Sequence, residues 1–176
     1  ILQQGEMKEY GTNVIKFPFA ENSPEVSIYL QKNKDNAVNK KGKLNRKNNP
    51  TEIDWDVDIN LNYGIHNNVV ITETFPKETT FKALEVKELI VGIDGSISEG
   101  NAISPTEYTV NSNGTEVRFL NKINKPYRLV YKTKIDDNSK PGEKGGWVNY
   151  RNQVSMTSSE LKNPTTAIAD IGAQYK

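Results

Sequence analysis

The sequence predicts an all-β sandwich, on three observations. Apolar and polar residues alternate with strand period in several short stretches, clearest over Ile53–Ile59 and Tyr127–Ile135. Turn residues punctuate these stretches, among them Asn60, Asn62, Gly64, Asn113-Gly114 and the polar Gly- and Pro-containing run Asp136–Gly146. No segment carries the sustained period of a long amphipathic helix.

In chain order, Val14–Phe19 and Val26–Leu30 are short strand signals, and Pro18 confines the first to an edge or a strand end. The charged run Gln31–Asn36 reads as a linker. It separates residues 1–31, expected to be lead-in strands or the end of a preceding domain, from a domain spanning 32–176. Ala37–Leu44 is weakly strand-like, and Arg46–Pro50 is a turn. In the next strand Ile53, Trp55, Val57 and Ile59 take one face and Asp54, Asp56 and Asp58 the other. Val69–Phe75 follows a turn-rich break. Phe81–Ile93 supplies one or two strands, although Leu84–Leu89 also fits a helical turn, and Gly92, Gly95 and Gly100 mark loops. Tyr108–Val110 and Val117–Leu120 flank Asn113-Gly114, a strong hairpin signal. Tyr127–Ile135 and Trp147–Thr157 are long strands, with a further short one around Ala167–Ile171.

The 176 residues suffice for one domain with a substantial core. With 23 Lys and Arg against 22 Asp and Glu, the charge balance argues against a dedicated nucleic-acid or anionic-membrane binder. Basic residues between Lys32 and Lys47 have no interleaved aromatic groups to stack on bases, so they read as a solvated turn. Cysteine is absent, which removes disulfide, thiolate-metal and thiol-nucleophile chemistry. No stretch approaches the roughly 18 apolar residues of a membrane span. A chain that opens at Ile1, with neither a Met nor a signal peptide, is expected to be a piece of something longer.

Three polar residues interrupt apolar faces. Lys40 shares parity with Val38 and Leu44, Glu73 with Val69, Ile71 and Phe75, and Asn152 with Val148, Tyr150, Val154 and Met156. Singly, each has an ordinary explanation: a snorkelling lysine, an edge glutamate, an asparagine at a bulge. Together, an amine, a carboxyl and a carboxamide in one core suggest a reaction. Burial favours a neutral, nucleophilic Lys40 and a protonated Glu73. The acid then polarises the carboxamide while the amine attacks it and ammonia leaves, giving a Lys–Asn isopeptide bond.

The segments NKKGKL, NPTEIDWDVDIN, NVVITETFP, YRLVYKTKI and YRNQVSMT resemble the collagen-binding-type domains of Gram-positive cell-wall adhesins, in order over about Ala37–Thr157. The resemblance implies an immunoglobulin-like sandwich of altered strand order, in many members with an internal isopeptide bond. In the family pattern the lysine stands two before a glycine, which is Lys40 before Gly42. The acid is usually Asp, so Glu73 is a departure that lengthens the side chain. The asparagine follows an aromatic residue by two on the last strand; Asn152 after Tyr150 and Asn149 after Trp147 both fit, and parity favours Asn152.

Other chemistry has little support. His66, the one histidine, lies in a turn and reads as a surface residue. Asp54, Asp56 and Asp58 begin like a calcium loop, but strand alternation and the lack of a following Gly and Glu make them a solvated face. There is no phosphate loop or nucleophile elbow, and Trp55 reads as core. The resemblance implies an adhesin module on the cell-wall-anchored bacterial surface, binding an extracellular-matrix protein such as collagen beside neighbouring domains. It implies no cofactor, no metal and no enzyme activity beyond the self-directed cross-link. Two other readings stay open: a structural stalk module without a ligand, and a carbohydrate-binding accessory sandwich.

Overall fold

The computed structural model describes residues 11–16, 25–30 and 38–176. Strands β1 (Gly11–Lys16) and β2 (Glu25–Leu30) pair antiparallel, Gly11 opposite Leu30 and Lys16 opposite Glu25. Pro18 and the linker expected at Gln31–Asn36 lie outside the described residues.

From Val38 onward two five-stranded sheets pack face to face. One runs in the order β3 (Val38–Leu44), β4 (Glu52–Ile59), β10 (Tyr127–Ile135), β6 (Thr79–Val91), β7 (Ile97–Ala102). The other runs β12 (Thr165–Tyr175), β11 (Gly146–Thr157), β5 (Val70–Thr74), β9 (Glu116–Phe119), β8 (Tyr108–Val110). Every ladder is antiparallel.

Alternation sets which side chains meet between the sheets. Ile53, Trp55, Val57 and Ile59 of β4 are buried, as are Tyr127, Leu129, Tyr131, Thr133 and Ile135 of β10. Across the gap they meet Ile71, Tyr150, Val154, Met156, Ala173 and Tyr175. Thr133 is the polar member of the β10 row, and its hydroxyl donates to the Ile53 carbonyl at 2.8 Å, which removes the cost of burying it. Trp55 lies under Gly42 on the neighbouring strand. A Cβ at Gly42 would stand 2.7 Å from the indole ring, so a side chain there has no room.

The edges β3 and β12 lie against each other, and Asn48, just beyond β3, bridges Gln174 of β12 in parallel. Val38 pairs with Ile59, at the end where β4 leaves for β5 and where Thr157 leaves for β12. Tyr175 pairs with Gly146 at the opposite end. The sandwich is therefore entered at one end and left at the other.

Several sequence expectations need correction. β6 is one continuous strand, so Leu84–Leu89 is not a helical turn. Ile97–Ala102, expected to be loop, is the edge strand β7; nearly all its side chains are exposed, so no alternation marks it. β12 runs for 11 residues, well beyond Ala167–Ile171. His66 is buried at 7% exposure instead of lying on the surface, because the β4–β5 and β11–β12 loops close over it. Its Nδ1 is 2.8 Å from the Ser158 hydroxyl, and burial lowers its pKa. Asp58 is covered too, held by Arg128 through Nε at 2.7 Å and a second nitrogen at 2.9 Å. Among the described residues no group of His, Asp and Glu is placed to hold a metal ion, and no helix is long and apolar enough to cross a membrane.

Candidate functional site

The site lies between β3, β5 and β11, near the edge where the two sheets meet. Lys40 enters from β3, two residues into the sandwich, with Val57 as its ladder partner. Glu73 comes from β5, opposite Val154 of β11. Asn152 is two residues before Val154 on the same face of β11, which makes it the diagonal neighbour of Glu73. The period of 2 in each strand turns all three side chains inward.

Lys40 Nζ contacts both carboxyl oxygens of Glu73, at 2.8 Å to Oε1 and 2.6 Å to Oε2, and neither side chain is exposed. The ammonium also stands over the Trp55 ring, 5.7 Å from its centroid. Burial pushes the Glu73 carboxyl up to about 7, against the pull of Lys40. Burial likewise brings Lys40 down to about 8, against the opposing charge of Glu73. Burial thus moves the two groups toward each other in proton affinity, which lowers the cost of passing a proton from Lys40 to Glu73.

Asn152 is fully buried. It lies near enough to the Glu73 carboxyl to help hold its charge, yet in poor hydrogen-bond geometry. Both its Oδ1 and Nδ2 are without a partner among the described residues. Orphaned amide atoms in an apolar core are costly, so this side chain is not explained by packing. The alternative acceptor, Asn149, is on the outer face, exposed, with its Nδ2 3.1 Å from Asp170. The structure brings Lys40, Glu73 and Asn152 together and leaves Asn149 outside.

Two further groups face this cluster that pattern reading passed over. Trp55 Nε1 and the Tyr131 hydroxyl are buried with no hydrogen-bond partner among the described residues. Tyr131 packs edge-on against Phe75, with centroids 5.6 Å apart, and its pKa is raised by burial first and by the charge of Glu73 second. An aromatic residue on a core face looks like ordinary packing in a sequence. Its lone donor becomes visible when the partners are counted in three dimensions.

Chemically, the arrangement sets an amine, a carboxyl and a carboxamide in one buried, largely apolar cluster, where burial favours the neutral forms of the amine and the acid.

Comparison of whole structures gives likenesses of fold. One is the structure reported as the complete manganese lipoxygenase of Gaeumannomyces graminis with part of a zonadhesin of Komagataella pastoris. It is 13% identical, with a TM-score of 0.53 over 93% of this chain and 55% of that one. The N-terminal domain of a Streptococcus gordonii adhesin is 12% identical, with a TM-score of 0.52 over 84% of this chain and 34% of that one. The chain therefore spans about half of the first structure and a third of the second. The collagen-binding domain of a Staphylococcus aureus adhesin is 14% identical, with a TM-score of 0.46 over 78% of this chain and 97% of that one. Sequence comparison with curated proteins gives no significant match. At the level of families, residues 35–167 match the collagen binding domain, a span that holds β3 to β11 with the buried Lys40–Glu73–Asn152 cluster and ends as β12 begins, and the chain belongs to the collagen-binding domain family.

Proposed function

We propose that this chain is a module of a bacterial cell-surface adhesin that binds collagen in the extracellular matrix and closes itself with a Lys40–Asn152 isopeptide bond. The family match over residues 35–167 carries the binding half of this reading. The buried amine–carboxyl–carboxamide cluster supports the other half. In this reading residues 32–176 form the module, and residues 1–31 are its lead-in strands or the end of a preceding domain. The protein acts outside the cell, anchored to the wall through parts of a longer chain.

The cross-link would form as follows. Lys40 Nζ passes a proton to Glu73, leaving a neutral amine beside a neutral acid. The amine attacks Asn152 Cγ, and Glu73 hydrogen-bonds the carboxamide as charge builds on Oδ1. Glu73 returns the proton to Nδ2, the Cγ–Nδ2 bond breaks, and the second amine proton passes through the same carboxyl to the departing ammonia, which leaves as ammonium. One N–C bond forms, one breaks, and Glu73 ends as it began. A covalent tie of this kind stabilises a domain without cysteine.

For the ligand, the outer face of the β12–β11–β5–β9–β8 sheet offers Trp147. It is 71% exposed, and its indole lies close to Gly172 of the next strand, with Ile168 exposed on the same strand as that glycine. A flat, supported aromatic ring of this kind suits the imino-acid rings of a collagen helix. Surface plasmon resonance over immobilised triple-helical collagen tests the reading. A dissociation constant of about micromolar, or roughly −8 kcal/mol, is expected, with little binding to the heat-denatured chains. Trp147→Ala should weaken binding at least about tenfold, some 1.4 kcal/mol, without changing the melting temperature. No binding at about a hundred micromolar protein, near −5 kcal/mol, would instead favour a stalk module that spaces its neighbours. Entry and exit at opposite ends of the sandwich suit that second role.

A further inference from the structure

The isopeptide reading leaves one feature of the core unexplained: a hydroxyl donor with nothing to donate to. Tyr131 sits on the central strand β10, between Trp55 of β4 and Leu84 of β6. It has no exposed surface, and its Oη lacks a partner among the described residues. Such a group destabilises a fold, and phenylalanine would fill the same space without that cost. An unpartnered buried donor calls for a use elsewhere in the cycle of the protein.

Its surroundings indicate that use. The Tyr131 ring packs edge-on against Phe75 and, at 6.4 Å between centroids, against Phe81. Phe75 follows Glu73 by two on the same side of β5. Gln153 pairs with Thr74, so Asn152 falls one step further on, level with Phe75. The ring that bears the hydroxyl therefore packs against the residue level with Asn152, and after burial the Glu73 charge is the second cause of its raised pKa. At the other end the Trp55 indole lies under Gly42 with the Lys40 amine 5.7 Å from its ring centroid, and its N–H is fixed in the plane of that ring. A phenolic O–H, by contrast, rotates freely about its C–O bond.

In the unlinked state Lys40 occupies both oxygens of Glu73. As the amine gives up its proton and attacks, those contacts are lost, and negative charge develops on Asn152 Oδ1, an acceptor that also has no partner. We propose that the Tyr131 hydroxyl is the donor held in reserve for this step, stabilising the oxygen of the tetrahedral intermediate and then the isopeptide carbonyl. The donor is aimed at the charge of the transition state and not at that of the ground state, which is the arrangement that accelerates a reaction. No atom is transferred by Tyr131; it donates a hydrogen bond and keeps its proton.

The inference rests on the cross-link reading, and the experiment separates the two. The full chain is made by cell-free synthesis, synthesis is stopped, and intact mass is followed for the fraction that has lost one ammonia. Tyr131→Phe should slow this conversion about tenfold or more, as removal of a single oxyanion donor does. In parallel, Tyr131→Phe is placed in an Asn152→Leu chain that cannot link, and its urea midpoint is compared with Asn152→Leu alone. There the change should leave the midpoint equal or higher, because an orphan donor has been removed. Slower linking with an undiminished midpoint is the expected pair of results. Linking at the wild-type rate overturns the proposal, and so does a lowered midpoint, which makes Tyr131 structural. A wild-type chain that never loses ammonia overturns the cross-link reading and, with it, this one.

Discussion

Replacing Asn152 by Leu removes the acceptor while keeping a side chain of similar size. It also disposes of two buried amide atoms that have no partners, and the Lys40–Glu73 pair stays intact. If the native chain is linked, the substitution opens a covalent loop running from Lys40 to Asn152, about 110 residues. Treated as a disulfide of that span, the loop restricts the unfolded chain by roughly 4–5 kcal/mol. The expectation is a loss of about 4–5 kcal/mol, or very roughly 8–20 °C in melting temperature for a domain of this size. Urea unfolding monitored by the fluorescence of buried Trp55, with Trp147 as an exposed background, measures it. The wild type should also unfold with a smaller m-value, because a closed loop keeps its unfolded chain more compact. If Asn152→Leu is as stable as the wild type or more so, with the same m-value, no loop has been opened and the clamp does not exist.

Two other expectations follow from the same cluster. The rate of linking should be bell-shaped in pH, with its maximum between about 7 and 8. Below that window Glu73 is protonated and Lys40 is an ammonium, so there is no nucleophile; above it Glu73 is a carboxylate beside a free amine, with no proton to give. The rate should fall about tenfold per pH unit on either side, and a profile flat from pH 5 to about 9 would show that this pair does not limit the step. Gly42→Ala places a Cβ 2.7 Å from the Trp55 ring and should destabilise the domain by about 1–3 kcal/mol, read as a lowered urea midpoint. An unchanged midpoint would mean that the indole has room to move.

Much of the sandwich can be read directly from residue patterns, because strands with one buried face record it in their parity. Ile53–Ile59 and Tyr127–Ile135 are such strands, and the structure places every inward position of both in the core. β7 is hidden for the opposite reason: an edge strand with exposed side chains has no apolar face to display. β12 is under-read because Ala167, Ala169 and Ala173 are too small for their alternation to stand out. Lys40, Glu73 and Asn152 are legible as inward-facing residues because a polar group on a core face breaks the pattern visibly. Tyr131 and Trp55 do not break it, so their unpartnered donors are a property of three-dimensional neighbours. The burial of His66 likewise depends on two loops, distant in sequence, closing on each other.

Intact-mass spectrometry of the purified chain tests the central claim most directly. The account predicts a protein lighter than its sequence by one ammonia and, after digestion, a branched peptide joining Lys40 to Asn152. Glu73→Ala and Lys40→Ala should each restore the full mass, since one lacks the proton carrier and the other the nucleophile. A branched peptide at Asn149 would contradict the geometry of the site, in which that residue faces solvent. A wild-type mass equal to that of the sequence would reduce Lys40 and Glu73 to a buried ion pair and remove the covalent clamp from the account.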